Sequence, residues 1–273
     1  IMGGLAGDAL TTGSNNVAIG YAALSGEDGH GRNVAIGAGA LYALNAGADG
    51  LNVAVGYDAA GAMSTGIRNI IIGADAGITM TSASYNVAIG YNALGDETTN
   101  GNNVAIGDSS MSSSEYSAKN VAIGSNTLQN VTNGSTTDTY NTAVGYNAGI
   151  NITSAIRNTL VGGLAGDSLT GGAYNTAVGM FALSTEDAHG MNTAVGYGAL
   201  EQQNAGANAY NTAIGYNAGN AITTAINTTL IGGNAGLALQ SGNDNTAVGA
   251  YAADGLTVGV RNVAIGTYAL SSE

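Results

Sequence analysis

The sequence predicts an all-β fold, a parallel β-solenoid of about sixteen rungs, each about 17 residues long. Two observations indicate this fold. The pentapeptide Asn-[Val/Thr]-Ala-[Ile/Val]-Gly recurs along the chain at a nearly constant interval, and 45 of the 273 residues are glycine. Short regular repeats are typical of solenoids, in which each unit packs only on its neighbours. The repeat glycines are Gly3, Gly20, Gly37, Gly56, Gly73, Gly90, Gly107, Gly124, Gly145, Gly162, Gly179, Gly196, Gly215, Gly232, Gly249 and Gly266.

The repeats fill the chain, so we expect residues 1–273 to form a single β-solenoid domain. The interval is longer by two or four residues at three places. Insertions of an even number of residues can lengthen a turn while the strand side chains keep the same facing. Residues 1–70 and 160–229 align without a gap, which indicates duplication of a block of rungs. Glu273 lies shortly after Gly266, inside a repeat, so we expect a segment of a longer fibre.

Each repeat contains a short strand with alternating side chains. The residue before the glycine is Ile or Val in every copy but one, and the residue three before it is Val, Ile or Thr. This alternation predicts that the β-branched face is buried. The other face carries Ala and Gly, such as Ala18 and Gly20, and we expect it to allow close approach of another strand or chain. Glutamate at Ala18 or Ala177 should then break assembly or folding.

An asparagine precedes the strand in nearly every repeat, and Thr228 replaces it once. Asparagine tolerates left-handed backbone geometry and bonds nearby peptide groups, which favours a tight turn. Identical side chains stacked rung upon rung can also form a hydrogen-bonded ladder. We therefore predict a structural turn ladder at Asn16, Asn33, Asn52, Asn69, Asn86, Asn103, Asn120, Asn141, Asn158, Asn175, Asn192, Asn211, Asn245 and Asn262.

Long side chains fall in two further columns. All five basic residues, and several tyrosines, directly precede the repeat asparagine. A second tyrosine column directly follows the repeat glycine. We expect these side chains to lie over a neighbouring rung or chain with their polar ends in water. Contact with a surface glycan is a second interpretation for the second column, which comprises Tyr21, Tyr57, Tyr91, Tyr146, Tyr197 and Tyr216.

Composition argues against several classes of function. A net charge of −13 repels nucleic acid, and the longest apolar stretch is far shorter than the roughly 20 residues that span a bilayer. We therefore expect neither nucleic-acid binding nor membrane insertion. The chain has no cysteine, so disulfides and thiol catalysis are excluded.

The acidic turns are the candidates for chemistry. His30 and His189 each lie in Glu-Asp-x-His-Gly, where carboxylates beside an imidazole could hold a divalent cation. Duplication accounts for their matching positions, and a solvated acidic loop is the favoured interpretation. Adjacent acids also lack the different environments that a catalytic acid and base require. We therefore expect no enzyme activity and assign no catalytic residue, cofactor site or metal site.

The repeats resemble those of two known families. Asn-Val-Ala-Ile-Gly at 16–20, 33–37 and 86–90 resembles the head repeats of trimeric autotransporter adhesins. Asn-Thr-Ala-Val-Gly-Tyr-Asn-Ala-Gly at 141–149 is similar to shaft repeats of tail-fibre-like proteins from phages and bacteria. The resemblance covers all sixteen repeats and implies a left-handed solenoid assembled as a homotrimer, on a virion tail fibre or a bacterial surface.

We therefore expect a structural protein, a rigid extracellular shaft that supports or mediates adhesion to a surface. The expected partner is the chain itself, in a homotrimer or end to end, together with a cell-surface glycan. Two alternatives remain open at this point. One is a self-assembling extracellular filament subunit, and the other is a polysaccharide-binding spike.

Overall fold

The computed structural model describes residues 1–271, without the side chains at positions 133, 135, 136 and 137. Glu273, on which the expectation of a longer fibre depends, therefore lies outside the described residues. The chain divides into two compact units, Ile1–Tyr140 and Asn141–Glu273, called unit 1 and unit 2 below. Each unit consists of stacked coils of about 17 residues with parallel strands, which confirms the predicted β-solenoid.

Unit 1 has one three-residue strand in each repeat after the first, and in the first repeat Met2 forms a parallel bridge with Ile19. A second parallel sheet, of two strands, forms near the longest insertion. Its strands are Glu115–Ala118 (β7) and Thr132–Asp138 (β9). The main sheet contains, in spatial order, β1 (Val17–Ile19), β2 (Val34–Ile36), β3 (Val53–Val55), β4 (Ile70–Ile72), β5 (Val87–Ile89), β6 (Val104–Ile106) and β8 (Val121–Ile123).

Unit 2 has the same arrangement. Its strands pair in register, for example Ala177 with Ala194, and the register is kept across one of the longer intervals, where Ala194 pairs with Ala213. The described residues include no helix that could cross a membrane. The strands are, in spatial order, β10 (Thr142–Val144), β11 (Thr159–Val161), β12 (Thr176–Val178), β13 (Thr193–Val195), β14 (Thr212–Ile214), β15 (Thr229–Ile231), β16 (Thr246–Val248) and β17 (Val263–Ile265).

The strands face the opposite way from the sequence prediction. The middle residue of each three-residue strand points into the core, and Ala18, Ala88 and Ala177 are fully buried. The β-branched residues on either side point outward, and Ile19 is 38% exposed. The prediction of a buried β-branched face is therefore wrong. Leucines from the turns, such as Leu24, fill the narrow interior and leave room only for a methyl group at the strand centre.

An exchange of volume between two core positions supports this explanation. The strand centre is Leu160 in one rung and Leu230 in another, and there the turn position that holds leucine in many other rungs is Gly166 or Gly236. A Cβ on Gly166 would lie 2.9 Å from Leu160 Cδ2, and one on Gly236 would lie 2.8 Å from Leu230 Cδ2. The larger strand residue thus occupies the space that the turn leucine vacates. This exchange explains why these rungs differ from the others in sequence.

The repeat glycine is required by backbone geometry. At Gly232 the φ angle is +134°, a conformation that L-residues rarely adopt. A Cβ at this position would also lie 2.4 Å from the carbonyl oxygen of Gly249 in the next rung. The close approach inferred from the small residues is therefore to the next rung of the same chain. Most repeat glycines share both features, so rung stacks on rung without side chains at this corner.

Adjacent glycines in unit 2 provide a matched test of this constraint. Gly232→Ala should lower the free energy of unfolding by roughly 2–5 kcal/mol, because it combines a strained φ with a backbone clash. A Cβ on Gly233 meets nothing within 4 Å, so Gly233→Ala should change stability little. Urea unfolding followed by circular dichroism measures both. Equal midpoints for the two variants would contradict the stacking constraint.

Candidate functional site

The repeat asparagines bind one rung to the next. The backbone N–H of Asn69 donates to Oδ1 of Asn52 at 2.9 Å, and Nδ2 of Asn69 donates to the carbonyl of Ala83 at 2.9 Å. Thr228 substitutes in one rung, where its N–H and Oγ1 both donate to Asn211 Oδ1. Most of these side chains are buried, so they satisfy peptide groups that water cannot reach.

The left-handed residue of this turn is not the asparagine but the residue before it. Arg68, Tyr85 and Lys119 have φ angles of 60°, 64° and 63°, whereas the repeat asparagines do not have positive φ. The turn therefore does not use the tolerance of asparagine for left-handed geometry. A β-branched residue would be strained at the preceding position, and in the described chain the side chains at this position are not branched at Cβ.

Several of these long side chains contact the next rung. The Arg68 guanidinium lies 5.4 Å from the ring centroid of Tyr85, and Nη1 donates to the Tyr85 hydroxyl at 2.9 Å. Arg157 makes the same contacts with Tyr174 in unit 2. Lys119 pairs with Asp138 in unit 1. These pairs are exposed to solvent, so each one stabilises the stack only modestly.

The acidic turns contain buried glutamates. Glu27, Glu97 and Glu186 are fully buried in a core column that holds apolar side chains in most rungs, such as Leu44 and Met80. The interpretation as a solvated acidic loop is therefore wrong for these glutamates. The sequence alone could have indicated that these glutamates are buried, because the seventh position after the repeat glycine is apolar in most rungs.

Each buried glutamate closes its own turn. Oε1 of Glu97 accepts the N–H of Asn100 at 2.9 Å, and Glu27 and Glu186 accept the N–H groups of His30 and His189. Burial raises the pKa of Glu97, and also that of Glu186, to about 7. Near neutral pH these carboxyl groups are therefore partly protonated within the core.

Two of these turns bring together groups that could ligate a metal. His30 Nδ1 lies 3.3 Å from Glu27 Oε1, and the ligand atoms of Glu27, Asp28 and His30 lie within 4.8 Å of one another. Glu186, Asp187 and His189 repeat the arrangement. The turn at Glu97 makes the same N–H bond with Asn100 in place of histidine. Closure of the turn therefore accounts for the glutamate in all three rungs, and the histidine is not required for it.

The outward strand residues form a stripe, called here the outer strand face, which consists of the first and third residue of each three-residue strand. In unit 1 they are valines and isoleucines, and in unit 2 most first residues are threonine. Ile72 is 37% exposed and Ile214 is 40% exposed. None of these strands contains a charged residue. Exposed apolar stripes such as that of unit 1 are typical of interaction surfaces.

The tyrosines after the repeat glycine are exposed along each unit. Tyr21, Tyr57 and Tyr91 lie in unit 1, and Tyr146, Tyr197 and Tyr216 lie in unit 2. In unit 2, the rings of Tyr197 and Tyr216 stack with centroids 5.5 Å apart. In unit 1, a cavity of about 580 Å³ opens beside Tyr21 and Tyr57. The sequence indicated the column but not this cavity.

No protein-family model, curated protein sequence or solved structure matches the chain. The functional argument therefore depends on the outer strand face, the tyrosine columns and the turns described above.

The asparagine ladder can be tested in unit 2. Asn158→Leu should lower the free energy of unfolding by about 2–4 kcal/mol, because it leaves the Asn175 N–H and the Gly172 carbonyl without a partner. Asn158→Thr should cost less, since threonine occupies this position at Thr228. The control is Asn204→Leu at an exposed position. Urea midpoints rank the three variants, and a cost for Asn158→Leu no larger than for the control would refute the ladder.

The buried glutamates predict a pH dependence. The pKa of Glu97 is about 7 in the folded chain and near 4.5 in the unfolded chain, so the folded state binds the proton more tightly. The contribution of this carboxyl group to stability should therefore be greatest below pH 4.5 and should fall as the pH rises to about 7. Above about pH 7 it should change no further. Glu97→Gln should flatten this dependence, whereas Asp96→Asn, at an exposed position, should not. Melting temperatures at pH 5 and pH 8 measure the difference, and identical pH profiles for Glu97→Gln and the parent would contradict it.

Proposed function

We propose that the chain is a structural, fibre-like protein, a rigid β-solenoid shaft that associates with further copies of itself. The outer strand face carries this proposal. It presents two columns of β-branched side chains on a regular, uncharged sheet surface, and burying it would remove apolar area from water along the length of each unit. A second copy offers the same columns at the same spacing, so identical faces can meet.

Rigidity follows from how the rungs are connected. Each strand pairs in register with its neighbours, and the asparagine ladder adds side-chain hydrogen bonds between rungs. Turn leucines and strand alanines form a core inside the coils. Bending a rung away from the next would break all of these contacts together. These properties suit a spacer that transmits force or holds another part of a protein at a distance.

The assembly that we propose is a homotrimer with the outer strand faces turned toward a common axis. Support for three copies comes from the resemblance of the repeats to those of trimeric adhesin heads and tail-fibre shafts. The same resemblance supports an extracellular location, on a virion tail fibre or a bacterial surface, and a role in adhesion. In such an assembly, the tyrosine-lined surfaces would be the ones available to a receptor.

Association through the outer strand face is testable with charge. The double variant Ile89→Lys with Ile106→Lys places two ammonium groups on this face in adjacent rungs. We expect the parent to be a trimer at micromolar concentration and the double variant to be a monomer, because a buried lysine without a partner is strongly destabilising. Light scattering coupled to size-exclusion chromatography gives the mass, and circular dichroism checks that the solenoid remains folded.

The matched control is Ser82→Lys with Thr99→Lys, which adds the same charge at exposed turn positions. This control should keep the mass of the parent. A parent that is a monomer at micromolar concentration, or a double variant that keeps the parental mass, would refute association through this face. Continuous filaments in electron micrographs of the parent would instead favour end-to-end assembly.

A further inference from the structure

A gap interrupts the tyrosine column of unit 1. Tyr21 and Tyr57 each follow a repeat glycine and lie two rungs apart, and the rung between them has Ala38 at this position. Stacked strands are about 4.8 Å apart, which separates the two tyrosine positions by about 10 Å. The cavity of about 580 Å³ opens here, and Ala38, Gly39 and Tyr42 also line it. We call this space the ring slot.

Unit 2 contains the same rungs with this position filled. Because residues 1–70 align with 160–229 without a gap, Ala38 corresponds to Tyr197 and Tyr57 to Tyr216. The Tyr197 ring stacks on Tyr216 at an interplanar angle of 15°, and the Phe181 ring is perpendicular to the Tyr197 ring with centroids 5.8 Å apart. A six-membered ring is therefore accommodated at this position of the column. Alanine in unit 1 leaves that volume open to a ring from outside.

The ring slot also has a polar edge. Asp58 is the charged residue among those that line the cavity. Its carboxylate lies against Gly39, where a Cβ would overlap Oδ1 of Asp58, so glycine is needed to seat it. A hydrogen bond from the Tyr57 hydroxyl to Asp58, together with the carboxylate charge, raises the pKa of this tyrosine. A ligand in the slot would thus lie among the side chains of Tyr21, Tyr42 and Tyr57 and meet a carboxylate acceptor at one edge.

We propose that the ring slot binds a β-gluco-configured pyranose, a sugar ring whose oxygen substituents are all equatorial. Such a ring presents only axial C–H groups on both of its faces, which suits a position between two aromatic side chains. Its hydroxyl groups radiate in the ring plane, and Asp58 and Tyr42, which line the cavity, carry groups able to accept or donate hydrogen bonds to them. A sugar with an axial hydroxyl would press that polar group against a tyrosine. This site adds a ligand to the proposed shaft and does not depend on its self-association.

Binding can be measured by saturation-transfer NMR and titration with methyl β-D-glucopyranoside. Methyl β-D-galactopyranoside, which differs by one axial hydroxyl, is the matched ligand, and p-cresol tests for an aromatic side chain as the true occupant. We expect the glucoside to bind at least fivefold more tightly than the galactoside. Ala38→Tyr, which fills the slot as Tyr197 does in unit 2, should weaken glucoside binding at least tenfold.

The control variant is Tyr116→Ala, which removes an exposed tyrosine of unit 1 that lies outside both the slot and the tyrosine column, and it should leave binding unchanged. Tyr57→Ala removes one wall of the slot and should weaken binding as Ala38→Tyr does. Circular dichroism confirms that each variant is folded. Glucoside binding that survives Ala38→Tyr, equal binding of both sugars, or binding of p-cresol alone would overturn the proposal.

Discussion

The stacking of one rung directly on the next, at a corner where no side chain fits, is the constraint on which the rest of the structure depends. A Cβ at Gly90 would lie 2.3 Å from the carbonyl oxygen of Gly107, and its φ angle of +140° already favours glycine. Because this corner is fixed, the strands pair in register, and residues at the same position of successive repeats lie one above another in a column. Each column then meets one environment along a unit, which is why its chemistry can be interpreted column by column.

Several columns show how this constraint leads to the proposed function. The strand centre must be small because leucine from the left-handed part of the turn, such as Leu94, occupies the interior. The β-branched residues on either side of it are consequently turned outward, where they form a surface suited to association. The asparagine column satisfies the buried peptide groups of the turn at the same time. Core, ladder and outer face are thus three consequences of one repeat.

The sequence was sufficient to predict the solenoid, the length of its rungs and the position of every strand near a repeat glycine, because these depend on period alone. It was not sufficient for the facing of the strands. Alanine at a strand centre can face either the core or the solvent. Its orientation is decided by the volume of leucines such as Leu24 and Leu41 inside the coil, where only a small residue fits beside them. The buried state of Glu97 and the slot at Ala38 depend on neighbouring rungs, so no single repeat indicates them.

The facing of the strands can be measured directly, since the chain contains no cysteine. Single cysteines at Val87, Ala88 and Ile89 can be labelled with a thiol reagent in the folded protein at a concentration low enough to favour monomers. We expect the cysteines at 87 and 89 to react readily, and to react more slowly at protein concentrations that favour association. The cysteine at 88 should remain protected until the chain unfolds. Fast labelling at 88 with protection at 87 and 89 would contradict the outward orientation on which the proposed assembly depends.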